Sequence, residues 1–130
     1  MNENEVPDAT DRIAKQVVDA AFHVHKALGP GLLESAYEEC LCHELAMRNI
    51  EHQRQVAMPL LYKGRTLDVG YRIDVLLASC VVVEVKAIET LLSIHQAQLM
   101  TYLKLSNCRL GFLVNFNVRL FKDGVRRIVL

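Results

Sequence analysis

Apolar residues recur at helical spacing near the start of the chain. Ile13, Val17, Ala21, Val24 and Leu28 fall three or four positions apart and define one face. The spacing predicts a helix over residues 8–28, capped by Asp8 or Thr10 and stopped by Gly29-Pro30-Gly31. The same period returns with Leu33, Tyr37, Leu41 and Leu45, predicting a second helix from about Leu32 to Arg48. The period then shortens. Residues 54–62 read as a strand, Lys63-Gly64-Arg65 as a turn, residues 66–78 as a second strand and Val81 to Ala87 as a third, with a tight connection near Ser79-Cys80. The run Val81-Val82-Val83 is continuously β-branched, the pattern of a strand covered on both faces. Residues 91–105 return to helix, and Gly111 to Val114 form a short apolar strand. Asn115-Phe116-Asn117 reads as a turn, and residues 118–129 as further edge strand turning at Asp123-Gly124. The predicted order is ααβββαββ, an α/β (mixed α+β) domain with helices packed on a mixed sheet.

Length and composition narrow the picture. A chain of 130 residues suits one domain over 1–130, with 1–8 expected to be a flexible N-terminus. At 52% hydrophobic and 23% charged residues, it belongs with packed globular chains and not with disordered ones. No stretch of about 18 uninterrupted apolar residues is present, so no membrane-spanning helix is expected. The start, MNENEVPDATD, is acidic and unlike a secretory leader, which makes the cytoplasm the expected compartment. Cys40, Cys42, Cys80 and Cys108 make no CxxC pair, and two cysteines two apart on a helix point in different directions. They read as ordinary thiols rather than zinc ligands.

Net charge is zero, but it is unevenly spread. Residues 1–60 hold five Lys/Arg against ten Asp/Glu, whereas residues 104–130 hold six (Lys104, Arg109, Arg119, Lys122, Arg126, Arg127) against Asp123 alone. A basic C-terminal third suits phosphates or a solvated hairpin face, and charge alone does not choose between them.

The segment richest in chemistry is Asp74, then nine residues, then Glu84-Val85-Lys86. Glu84 and Lys86 are two apart on a strand and share a face. The rest of that strand is valine and alanine, where a carboxylate and an ammonium are costly to bury without partners. A hairpin turning near Ser79-Cys80 brings Asp74 back to the level of Glu84 and Lys86. Two carboxylates there make a hard oxygen site for Mg²⁺ or Mn²⁺, which can polarise a phosphoryl group and acidify a bound water, while the lysine orients that water or offsets charge. The alternative is a structural Glu–Lys cross-strand pair with a turn aspartate.

Two other segments are candidates. Glu34, in the first turn of the second helix, either joins the site or only interacts with exposed backbone amides there, and Tyr37 one turn on can simply pack. Gln98 and Tyr102 lie four apart on one helix face and can together hydrogen-bond a phosphate, a water or a base edge, or form a polar stripe at the sheet rim. His95 and Gln96 read as exposed helix residues.

These segments, in this order, resemble the GxxExxY family of the PD-(D/E)XK nuclease superfamily. The resemblance is carried by GLLESAY at 31–37, GYRIDVLLASCVVVEVKAIE at 70–89, HQAQLMTYLKL at 95–105 and LGFLVNFN at 110–117. It implies a restriction-endonuclease-like core. It makes Asp74 and Glu84 metal-binding carboxylates, with Glu34 and the carbonyl of Val85 as further ligands, Lys86 the catalytic lysine, and Gln98 and Tyr102 a QxxxY element supporting the site or touching DNA. Ile73 departs from the pattern, standing where the superfamily's name has proline.

The expected function is therefore metal-dependent hydrolysis of nucleic acid, DNA by preference, with Mg²⁺ or Mn²⁺ as cofactor and no membrane partner. The competing readings are a catalytically silent nucleic-acid-binding or assembly module on the same fold and an unrelated hydrolase of small phosphoesters. A homodimer is expected, because so small a domain offers limited surface for gripping a duplex.

Overall fold

The computed structural model describes residues 6–130, so the expectation for the N-terminus lies outside the described residues at positions 1–5. At the end of that stretch Val6 already packs against the core and Asp8 opens the first helix. Helix α1 spans Asp8–Leu28 and α2 spans Glu34–Met47. Neither Asp8 nor Thr10 caps α1. Pro7 takes the cap position, its carbonyl accepting the Asp11 N–H at 3.0 Å, and Asp8 contributes charge to the first turn instead. Gly29, at φ 66°, ends the helix in a conformation that suits glycine.

Seven strands follow: β1 His52–Ala57, β2 Leu60–Tyr62, β3 Arg65–Leu67, β4 Arg72–Leu77 and β5 Val81–Lys86, then helix α3 Ser93–Ser106, then β6 Leu110–Asn115 and β7 Val125–Val129. Five strands thus stand before α3, where hydrophobic pattern alone predicts three. The run 54–62 breaks after Ala57 at Met58-Pro59, since proline has no N–H for a ladder. The run 66–78 breaks at residues 68–71, where Gly70 takes φ 84° and its N–H bonds the Asp68 carboxylate. The pieces β2 and β3 pair only with each other, as a small separate ribbon. In 118–129 the predicted strand forms only from Val125, because a single 3-10 turn occupies Phe121–Asp123.

The main sheet has the order β1-β4-β5-β6-β7. Only β5 and β6 are parallel, joined by the α3 crossover. On one face Val75, Leu77, Val81, Val83, Val85, Phe112 and Val114 pack against α1 and α2. On the other, Ile73, Leu76, Val82 and Leu113 pack against Leu99 and Leu103 of α3. The valine run at the head of β5 is fully buried, as its composition predicts for a strand covered twice. Gly111 lets α3 approach, since a Cβ there would meet Leu99 Cδ1 at 2.9 Å.

Candidate active site

Alternation of side chains along β4 fails at one residue. Val75 and Leu77 face α1 and α2, so period two would put Ile73 with them, yet Ile73 packs on the α3 side beside Leu76. Asp74 lies at this break. The β4–β5 ladder stops there too. Its pairs run Leu77↔Val81, Leu76↔Val82 and Val75↔Val83, and the next would join Asp74 to Glu84. Side chains take over from the main chain instead. The Asp74 N–H donates to Glu84 Oε2 at 2.9 Å, and the Val85 N–H donates to Asp74 Oδ2 at 2.9 Å. The two strands splay, and the gap holds two carboxyl groups.

Their electrostatics follow from this. Glu84 is 4% exposed, and its pKa is pushed up to about 8. Burial is the main cause, the neighbouring Asp74 charge adds to it, and the Asp74 N–H and the Lys86 charge oppose it. A hydrogen bond between the two carboxyl groups also favours the protonated form. Asp74 is likewise raised, chiefly by burial, with Glu38 adding and the Val85 N–H opposing. The pair thus retains a proton that an isolated carboxylate would have lost.

Lys86 sits two residues beyond Glu84 at the end of β5. Among the described residues it forms no ion pair, but its charge lowers the proton affinity of Glu34, Asp74 and Glu84. The chain after it is held firmly. Asn115, 2% exposed and opposite Lys86 on β6, donates to the Ile88 carbonyl at 2.9 Å and accepts the Ile88 N–H at 3.1 Å.

Glu34 reaches the group from α2. Its pKa is raised, first by burial and further by Asp74 and Glu38, against the lowering effect of Lys86. The turn that presents it is clamped by Tyr37, whose hydroxyl donates to the Gly29 carbonyl at 2.5 Å and accepts the Leu32 N–H at 3.1 Å. The Tyr37 ring stacks on Phe116 at 4.6 Å. Gly31 completes the turn at φ 104°. The glycine and tyrosine of the segment 31–37 thus build the mount, and the glutamate is what they display.

Gln98 and Tyr102 do share a face of α3, but only one of them meets the acids. Tyr102 packs edge-to-face on Tyr71 at 6.3 Å, and its pKa is raised by burial and then by the charges of Glu84 and Asp74, with the Arg72 main chain opposing. Gln98 is exposed and lines a separate hollow with Tyr71, Ile94, Thr101 and Tyr102. His95 has a local task, its Nδ1 accepting the Leu92 N–H at 2.8 Å at the start of α3.

Two residues of the site escape a reading by sequence pattern. Glu38, one turn after Glu34, is 7% exposed and paired with Arg54 at 2.7 Å. Gln55, on β1, bonds both Glu38 and Asp74. The i, i+4 spacing of Glu34 and Glu38 was the only available signal, and it is equally that of a solvated helix face. Together Glu34, Ser35, Glu38, Gln55 and Asp74 line a hollow of about 360 Å³.

The basic residues of the C-terminal third do not form one stripe. Arg109 precedes β6 at the hairpin-turn end and bonds the Leu130 carbonyl. Arg119 and Lys122 lie in the segment leaving β6 at the same sheet end as Lys86. Arg126 is bonded to its local main chain.

Among the described residues, no three His, Cys, Asp or Glu side chains form a ready-made metal cage. The donors still suit a hard cation. Asp74 and Glu84 offer carboxylate oxygens held by main-chain N–H groups, and a magnesium ion normally takes one or two carboxylates and completes its shell with water and phosphate.

The domain has three layers, and at the splayed end of β4 and β5 it brings together two interlocked acids and a lysine. The sequence model of the PD-(D/E)XK nuclease superfamily matches residues 11–128, and the chain belongs to that superfamily. No curated protein and no solved structure matches it. Among the described residues, no helix is long and apolar enough to cross a membrane.

Proposed function

We propose that this chain is a divalent-metal-dependent nuclease that hydrolyses phosphodiester bonds, with DNA as substrate and Mg²⁺ or Mn²⁺ as cofactor. The observation that carries the reading is the open end of β4 and β5, where the carboxyls of Asp74 and Glu84 replace the ladder and Lys86 follows two residues on. A structural Glu–Lys pair does not account for this arrangement, because among the described residues Lys86 forms no ion pair with either acid while its charge acts on both.

Asp74 and Glu84 would hold the cation, with Glu34 and the Val85 carbonyl as further ligands. When bound, the cation supplies Lewis acidity toward a phosphoryl oxygen and activates water. Glu84 gives up its proton before it can act as a ligand. The ammonium of Lys86 would orient the attacking water and offset charge building on phosphorus. Tyr102, whose proton affinity responds to both acids, would support the site, and Gln98 on the same helix face would contact the nucleic acid beyond the reacting phosphate. The motif Gly31, Glu34, Tyr37 supports a place in the GxxExxY group, and a homodimer would widen the surface available to a duplex.

The test is incubation of plasmid and linear DNA with the protein and Mg²⁺ or Mn²⁺. Nicking or exonucleolytic loss is expected, abolished by chelation and by Asp74→Ala or Lys86→Ala. Wild-type rates in those variants would rule out the mechanism. Salt-sensitive DNA binding without cleavage under either metal would favour the silent binding module.

A further inference from the structure

The Asp74 carboxylate is held at both oxygens. Oδ2 accepts the Val85 N–H at 2.9 Å, and Oδ1 accepts from Gln55 Nε2 at 3.2 Å. The same Gln55 nitrogen donates to Glu38 Oε1 at 2.8 Å. Glu38 cannot turn away, because its other oxygen takes the Arg54 guanidinium at 2.7 Å. A continuous chain therefore runs from Arg54 through Glu38 and Gln55 to Asp74.

The backbone of β1 is bent to make this possible. The β1–β4 register pairs Arg54 with Val75 and Val56 with Ile73, which leaves Gln55 opposite Asp74, and Gln55 takes φ 51°. A left-handed conformation at a non-glycine residue inside a strand persists only where surrounding contacts enforce it.

Residue chemistry narrows the choice further. A primary amide has two N–H groups on one nitrogen, so it can bridge two carboxylates while carrying no charge. An ionised glutamate has no donor to offer, and asparagine is one methylene shorter. A lysine could donate, but its charge would oppose a cation at the same carboxylates.

We propose that Gln55 is a positioning residue, an uncharged bridge that uses buried Glu38 as its anchor and fixes the orientation of the Asp74 carboxylate for cation binding. The inference rests on the metal-dependent reading of the site. Gln55 touches neither substrate nor cation and acts through Asp74.

The test compares the full-length protein with Gln55→Met, which keeps the length and removes the donor, and with Gln55→Ala. Gln55 is exposed, so thermal midpoints should stay close to wild type in both. In metal-free protein, the Asp74 carboxyl ¹³C resonance should shift in Gln55→Met. In Mn²⁺ titrations followed by electron paramagnetic resonance, affinity should fall about tenfold or more, the usual cost of losing a group that orients a metal ligand. In cleavage assays kcat should fall with KM for oligonucleotide unchanged.

An unmoved Asp74 resonance, or Mn²⁺ affinity within twofold of wild type, would overturn the bridge. So would a loss of affinity that merely follows a large drop in thermal midpoint. Should the wild type bind no Mn²⁺ while the Asp74 resonance still shifts, the bridge stands as an orienting contact and the nuclease reading fails.

Discussion

At its turn end the β4–β5 hairpin pairs Val75 with Val83, Leu76 with Val82 and Leu77 with Val81, and none of these six side chains is more than 9% exposed. One residue further the ladder ends, and the Asp74 and Glu84 carboxyls take the N–H groups that strand carbonyls would otherwise accept. Main-chain pairing and dry apolar packing reinforce each other at the first end, so it stabilises the fold. At the second end burial opposes the charge of both acids, and their proximity opposes it again. Such a site costs stability, and a cation bound there as proposed would offset that cost. Stability and chemistry are therefore separated by a few residues along one pair of strands, and substitutions at the two ends should fail in different ways.

The largest contrast comes from Glu84→Gln. The amide still accepts the Asp74 N–H and cannot ionise, so metal-free stability should hold near neutral pH and rise where Glu84 would lose its proton. Cleavage should fall on the order of 10³-fold, the scale of losing cation-based stabilisation. Urea unfolding alongside a cleavage assay checks both halves, and a variant that unfolds without losing rate would erase the contrast.

Leu77→Ala at the opposite end should do the reverse. It empties a fully buried position and should cost about 2–5 kcal/mol in urea unfolding. Mn²⁺ affinity, measured below the unfolding transition, should stay near wild type.

The pH dependence sharpens the same point. Glu84 binds its proton more tightly in the folded protein (about 8) than in the unfolded chain (4.5). The folded state therefore holds more protons between those values, and metal-free stability should decline as pH rises from 4.5 toward 8. Over that window Mn²⁺ affinity should climb, approaching tenfold per pH unit as cation and proton compete for Glu84. Glu84→Gln should flatten both curves, and a stability that instead rises across the window would contradict the assignment.

Tyr102→Phe should have the smallest effect. It removes one hydroxyl near the Arg72 main chain and leaves the acids in place. A roughly two- to tenfold loss of cleavage rate is expected from a single hydrogen bond. A thousandfold loss would move Tyr102 into the reacting group itself.

Much of this was legible in the chain. The β-branched run of β5 marked a buried strand, and the glutamate and lysine two apart on it marked where charged groups meet Asp74. Likewise the α2 segment announced Glu34, because local periodicity and local turns decide these features. The breaks at Pro59 and Gly70 were visible as residues, but period-two patterning carried the predicted strands straight across them. Glu38 and Gln55 were out of reach for another reason. Burial of Glu38 depends on Arg54, sixteen residues away, and the turned backbone of Gln55 depends on Asp74 across the sheet. Contacts between elements leave no periodic trace. The same limit explains the basic C-terminal third, whose charges look continuous in sequence but scatter over α3, both ends of the sheet and the middle of β7.

The proposed cation site lies at the splayed end of β4 and β5. Crystals soaked in Mn²⁺ and measured at the manganese absorption edge test it directly. An anomalous peak in contact with the carboxyl oxygens of Asp74 and Glu84, absent in Glu84→Gln, is the result expected. A wild-type crystal with no peak between those two side chains, or with manganese bound only elsewhere, would contradict it.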